Sequence, residues 1–369
     1  MNEYQVQNIQ LVDSPALLIY PDRIAHNIRT MLAMVDGDAD KLVPHVKTHK
    51  MAEVARMQVE AGITKFKCAT IAEAEMLADT GARHVLISYQ LTGPKLHRFC
   101  ELVQAYNWVE WASLVDNLAS AEELAQEFAK TTHKPIVYID INLGMNRTGH
   151  VVDAELEQLY RTLKADTRLD LRGFHAYDGH IRDQDVAERQ LKADAAVKPL
   201  EALADKLEQE GESRPLIIVG GTPTFSNHAH RPNVWCSPGT CLLWDWGYGD
   251  LLTEQHFEWA ALLVTRVVSK PAPGIVTTDL GHKAVAAENP LAKRVKFLNL
   301  TDYELTGQSE EHLVLKVQNW NDINIGDVLY GVPYHICPTV ALHDEAQVIL
   351  GGEATGRWAI DARKRRITY

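Results

Sequence analysis

Short apolar segments alternate with longer helical patterns through the first two-thirds of the chain, and this rhythm constrains the fold more than any single motif. "KLVPHVKTHK" is followed by the helix-like "MAEVARMQVEAG", "KFKCAT" by "IAEAEMLADTG", and "HVLISY" by "GPKLHRFCELVQAY". "WASLVDN", "PIVYIDINLG" and "LRGFHAYDG" each precede a helical stretch in turn, the last running from Asp183 to Glu210, and "PLIIVGG" comes next. Apolar runs of strand length and patterns of helical period separate the two element types. Local punctuation agrees. Thr70 and Glu73 have the spacing of a capping box, and Gly62 and Gly81 stand where helices should stop. Such alternation implies parallel strands joined by crossover helices, and about eight units close a (β/α)8 barrel.

Near Trp246 the rhythm changes. "ALLVTRVVSK", "GIVTTDLG", "YELTGQSEEHLVLKV", "DVLYGVPYH" and "RWAIDARKRRITY" read as strands with turns and almost no helix. The expectation is an α/β chain: a barrel over residues 14–248, then a mainly β domain over 249–369, to which residues 1–13 could add a strand. A chain of 369 residues has core enough for both.

A formal charge of −12 argues against nucleic acid or an anionic membrane as partner. No apolar run approaches the roughly 20 residues of a membrane helix. The N-terminus "MNEYQVQNIQLVDSP" lacks the basic cap and apolar stretch of an export signal. The five cysteines are odd in number and irregularly spaced, so a disulfide framework is not expected. These features read as a soluble cytoplasmic protein. The basic run "ARKRR" reads as a solvated last strand or tail.

Candidate chemistry falls at expected strand ends, the barrel face where active sites are built. Lys47 in "VPHVKTHK" would end the first strand; partial desolvation there makes an amine a better nucleophile toward an aldehyde, although a surface lysine has the same pattern. "VGGTPT" offers Gly220, Gly221, Thr222 and Thr224 to a phosphate through backbone N–H groups and hydroxyls, and "SPGT", with Gly239 and Thr240, could complete the cup. Either stretch could equally be a plain turn. Arg147 follows "GMN" and suits a phenolate or carboxylate. His175, Tyr177, Asp178, His180 and Asp183 crowd into "FHAYDGHIRD", a density that suits proton transfer or a structural hydrogen-bonded cluster. In "YHICPT", His335 and Cys337 at i and i+2 would share one side of an extended segment, a nitrogen and a sulfur that suit zinc, unless the pair is a chance one.

The order of "PHVKTHK", "GMNRTGH", "HAYDG", "VGGTPT", "DLGHK" and "HICPT" resembles the D-threonine aldolase and D-serine dehydratase family, from about Asp13 to the end. The resemblance implies the alanine-racemase fold, a barrel that binds pyridoxal 5'-phosphate (PLP) followed by a β domain, and a homodimer. It matches Lys47 to the Schiff-base lysine, Arg147 to the arginine near the pyridoxal ring, and Tyr177 to the tyrosine of the neighbouring strand. Gly220, Gly221 and Thr222 match the phosphate cup, and His335 with Cys337 the ligands of a divalent metal, zinc or manganese. Lys283 in "DLGHK" lies in a shared motif with no role assigned. The implied substrate is a β-hydroxy D-amino acid, cleaved to glycine and an aldehyde.

Two departures bear on the reaction. Aldolase members carry His-x-Asp as the metal pair and dehydratase members His-x-Cys, so Cys337 favours a dehydratase acting on D-serine or D-threo-3-hydroxyaspartate. Several aldolases carry a histidine six residues after the strand tyrosine; that position is Asp183 here, with His180 nearby as a substitute base. Aldol cleavage is placed first and dehydration second. A racemase, which has no use for the metal pair, and a non-catalytic PLP-binding protein are the remaining alternatives.

Overall fold

The computed structural model describes residues 3–369, which gather into two compact units. One comprises Met31–Lys47, Ala52–Gly239 and Lys364–Tyr369. In it, seven parallel strands pair in chain order: Lys65–Cys68, His84–Gln90, Glu110–Val115, Ile136–Asp140, Asp170–Ala176, Leu216–Val219 and Val234–Cys236. Helices Ile71–Ala78, Pro94–Ala105, Leu118–Phe128, Ala154–Ala165 and Val186–Gln209 form the crossovers between them. Every residue of Ile136–Asp140 is buried, as a parallel strand covered on both faces requires.

Residues 42–46 take the eighth position of the expected barrel. The Val43 N–H donates to Cys236 O at 2.8 Å and the Val46 N–H to Lys67 O at 2.9 Å, so the segment bridges the two edge strands. Pro44 has no N–H to give, and the contact is a pair of isolated bridges instead of a regular ladder. The segment delivers Lys47 at its end.

The local signals hold. The Glu73 N–H donates to Thr70 Oγ1 at 3.1 Å, and the Glu73 carboxylate accepts the Ala69 N–H at 2.7 Å. Gly62 and Gly81 take φ of +92° and +90° after their helices, a region in which a side chain would be strained. The basic run is exposed at Lys364, Arg365 and Arg366, as expected of a solvated tail, and it is not part of a strand. The strand ends at Ala359, and the final residues belong to the barrel unit, where the Thr368 N–H donates to both oxygens of buried Glu75 at 3.2 and 3.0 Å. Two otherwise unpaired groups, a buried carboxylate and a tail backbone, satisfy each other there.

The other unit comprises the chain up to Thr30, Thr48–Met51 and Thr240–Arg363. Its sheet runs Tyr303–Gln308, Leu313–Val317, Ile275–Thr278, Ala261–Ala272, Ala16–Ile19, Glu345–Leu350, Glu353–Ala359, with Val328–Pro333 joining Ala261–Ala272 to Val295–Phe297. Leu18, Leu262, Val264, Tyr330, Val332 and Ile349 form its core. The N-terminal strand is thus Ala16–Ile19, not part of residues 1–13. Residues 3–13 hold only the 3-10 turn Ile9–Leu11, and residues 1 and 2 lie outside the described residues. "ALLI" can bury three of its four side chains in a sheet, whereas the polar "QVQN" before it cannot. Among the described residues no helix is long and apolar enough to cross a membrane.

Candidate active site

In the barrel unit, two lysine amines and a guanidinium converge on one aromatic ring. The Lys47 Nζ lies 5.9 Å from the centroid of Tyr177, the Lys67 Nζ 5.5 Å, and the Arg147 Cζ 5.0 Å. Lys47 is half-buried, and its backbone N–H donates to His45 Nδ1 at 3.3 Å, while Arg147 is exposed on a loop that the Asn142 side chain organises, its Oδ1 accepting the Gly144 and Asn146 N–H groups, each at 3.0 Å. Tyr177 is seated by glycines. A Cβ on Gly179 would fall 2.0 Å from its hydroxyl oxygen, and one on Gly221 would fall 2.6 Å from its Cε2. Those glycines are there for close approach.

Lys67 is the residue the sequence reading passed over. It sits within Lys65–Cys68, 2% exposed, and donates to Ser237 Oγ at 2.6 Å. Its Nζ is 3.3 Å from His175 Nε2, and His175 Nδ1 is 2.7 Å from the Asp140 carboxylate, which also accepts from Gln90 at 2.9 Å. Burial and then the Lys67 charge hold His175 below the ordinary imidazole range, against the pull of Asp140. Burial would raise Asp140, but the His175 hydrogen bond and charge leave it below the usual carboxylate range. A neutral imidazole that donates from Nδ1 and accepts at Nε2 fits both directions. Burial, followed by the neighbouring Lys47 charge, brings the Lys67 ammonium down to about 7.

Beside this chain lies the glycine cup. Gly220 takes a φ of +74°, and Gly239, where a Cβ would meet His45 O at 2.6 Å, donates its N–H to Thr222 Oγ1 at 3.1 Å. Behind the cup, fully buried Asp178 accepts from Thr224 Oγ1 at 2.7 Å, from His228 Nε2 at 2.8 Å and from the Gly221 N–H. Burial would raise Asp178, but these donors hold it below the usual range. The Arg231 Nε donates to His228 Nδ1 at 3.1 Å, which fixes Nε2–H as the donor to Asp178. Asp178, expected in a proton-transfer cluster, is a clamp on the loop that carries Gly221.

The remaining expected residues are dispersed. His180 is exposed, with its Nε2 facing Gly144. Asp183 pairs with Lys192, which holds its carboxylate below the usual range, and its carbonyl accepts from Arg189 at 2.7 Å. Lys283 is a surface lysine paired with Glu310 and Glu311.

In the β unit, His335 caps the short helix Ile336–Val340, so Cys337 stands in a helical turn and not in the extended segment expected. Pro338 tolerates that first turn, where its missing N–H would have no helical partner. The two side chains still meet through a hydrogen bond. Burial would lower His335, but the Cys337 bond and charge, followed by Glu288 and Asp245, raise it to about 9. The Glu288 carboxylate lies 2.6 Å from Nδ1, which leaves Nε2 as the nitrogen for a metal, and Cys337 Sγ lies 3.1 Å from Thr48 Oγ1 and 3.5 Å from Thr240 Oγ1. Among the described residues no three of His, Cys, Asp and Glu gather as a metal set. The pair is an open site at most, completed by water or substrate.

A doubly anionic cofactor fits the residues present. Two cations, Lys47 and Arg147, and the Lys67 amine face Tyr177, a glycine cup with two threonines adjoins it, and the near carboxylates, Asp140 and Asp178, are both turned into hydrogen bonds. Fold and site together define a protein of the alanine racemase class. The family model "Alanine racemase, N-terminal domain" matches residues 19–245, and the chain belongs to that family; the model "Putative serine dehydratase domain" matches residues 260–349. A D-threonine aldolase of Arthrobacter sp. is 27% identical over 358 residues, which cover 95% of this chain and 93% of the relative. The D-threo-3-hydroxyaspartate dehydratase of Delftia sp. (strain HT23) is 24% identical over 370 residues, covering 94% and 97%, and its structure superposes with a TM-score of 0.80. The crystal structure of D-threonine aldolase from Filomicrobium marinum superposes with a TM-score of 0.86 at 25% identity, covering 95% of each chain.

Proposed function

We propose that the chain is a PLP-dependent lyase that cleaves β-hydroxy D-amino acids to glycine and an aldehyde. The observation that carries this reading is the convergence of Lys47, Lys67 and Arg147 on the Tyr177 ring beside the glycine cup. When bound, PLP supplies an aldehyde for the substrate amine and a ring that takes up the electron pair of the broken bond. Lys47 would bond that aldehyde and, once displaced, carry a proton between substrate and solvent. Gly220, Gly221, Thr222 and Gly239 would hold the phosphate and Arg147 a phenolate or carboxylate oxygen, while Tyr177 fixes the ring's position. His335 Nε2 and Cys337 Sγ would hold a divalent metal, zinc or manganese, whose chemistry is to polarise the substrate's β-hydroxyl. The dehydratase reading, giving ammonia and a keto acid, is favoured by the sulfur at Cys337. Both readings take the active form to be a cytoplasmic homodimer.

The test supplies the protein with PLP and zinc or manganese, then D-threonine, D-serine or D-threo-3-hydroxyaspartate. Glycine with an aldehyde is the expected product; ammonia with a keto acid moves the chain to the dehydratase reading, and no turnover of any of the three overturns the substrate class.

The clamp behind the cup gives a second expected result. Asp178→Asn puts an amide where three donors point, so the Gly221 loop loses acceptors and gains a misplaced donor. The dissociation constant for PLP should rise about ten- to a hundredfold, the loss of roughly one to three kcal/mol. Absorbance titration reads it, and an unchanged constant would show that Asp178 does not shape the cup.

A further inference from the structure

We propose that Lys67 is a second amine of the cofactor chamber, competent to form a carbon–nitrogen double bond with the PLP aldehyde when Lys47 is removed. The inference rests on the PLP reading above. Lysines are almost never fully buried without a paired carboxylate, because an ammonium taken out of water needs a counter-charge. Lys67 is buried with two neutral partners, Ser237 Oγ and His175 Nε2, and Asp140 reaches it only through the imidazole. Lys47 and Arg147 add further positive charge on its open side. Burial, Lys47 and Arg147 favour the uncharged amine; Asp140 and, with a smaller influence, Asp178 oppose it.

An uncharged buried amine is a nucleophile at neutral pH, where an ordinary lysine is almost wholly protonated. Lys67 also borders the same ring as Lys47, at 5.5 Å against 5.9 Å from the Tyr177 centroid. In the step proposed, Nζ adds to the aldehyde carbon and gives up both its hydrogens. They leave with the carbonyl oxygen as one water molecule, and nothing is oxidised or reduced. A lysine that merely props His175 would show no such bond.

The experiment treats the parent protein, Lys47→Ala and Lys47→Ala/Lys67→Met with PLP, reduces each with borohydride, and maps the pyridoxyl group by peptide mass spectrometry. The parent should carry it on Lys47. Lys47→Ala should carry it on Lys67, at least about tenfold above any surface lysine, since only a small fraction of an ordinary amine is neutral at pH 7. The double variant should lose that label. Circular dichroism checks the fold, and Lys47→Gln replaces the alanine variant if that chain does not fold. Labelling of Lys47 in the parent with no label, or only scattered surface label, in the Lys47 variants overturns the proposal and leaves the PLP reading standing. A parent that takes no label on Lys47 overturns that reading itself.

Discussion

Lys47→Ala is expected to lower turnover of the best substrate by at least about 10³-fold while leaving the fold intact. The loss is large because one side chain is asked to do two things, to bond the cofactor aldehyde and to move a proton once the substrate amine has displaced it. The fold survives because backbone groups of residues 42–46, and not the lysine side chain, bridge Lys65–Cys68 and Val234–Cys236. Lys47→Arg should fail equally: a guanidinium stays protonated and cannot act as a nucleophile. Steady-state assay of glycine or keto acid gives the result, with circular dichroism as the check on folding. If the alanine variant kept more than about a tenth of the activity, Lys47 would lose its assigned role. Residual turnover that vanishes on adding Lys67→Met would place the remaining chemistry on the second amine.

The barrel was legible because each unit repeats the same pattern, and the capping box at Thr70 and Glu73 is a purely local device. What escaped was set by contacts distant in sequence. Asp178 reads as one more proton-transfer group in "FHAYDGHIRD" until Thr224 and His228, 46 and 50 residues further on, turn toward it. His335 and Cys337 read as extended because the strand pattern "DVLYGVPYH" runs into them, whereas Pro338 is also tolerated in the first turn of a helix. Asp183 fell under a spacing rule, but Lys192 on the following helix engages it first. Lys67 did leave a trace. In "KFKCAT" Lys65 and Lys67 share the face opposite Phe66, and in a strand covered on both faces that side too is interior, the more so toward the strand's middle where Lys67 stands. A charged residue inside a strand covered on both faces is the signal that would have found it.

That inward lysine should make the protein less stable than it could be. Lys67→Met keeps a similar volume, removes the buried amine, and is expected to raise unfolding stability by several kcal/mol at pH 6 in PLP-free protein. Unfolded, Lys67 holds its proton up to its ordinary 10.5; folded, it gives the proton up near 7. Between those values the unfolded chain binds more protons, so folding gains stability as the pH rises. Below pH 7 the penalty is at its full size, roughly several kcal/mol, a tenfold change in proton affinity being about 1.4 kcal/mol. Lost hydrogen bonds to Ser237 and His175 subtract about one kcal/mol or more each from the gain. Denaturant unfolding of parent and variant at pH 6, 8 and 9.5 measures the difference, which should shrink steadily above pH 7 because only the parent carries the titrating amine. A difference that stayed constant across this range would mean that Lys67 does not change its proton on folding. A gain in stability coupled to the loss of the Lys67 adduct would show that the buried amine is kept for chemistry, since packing alone would favour its removal.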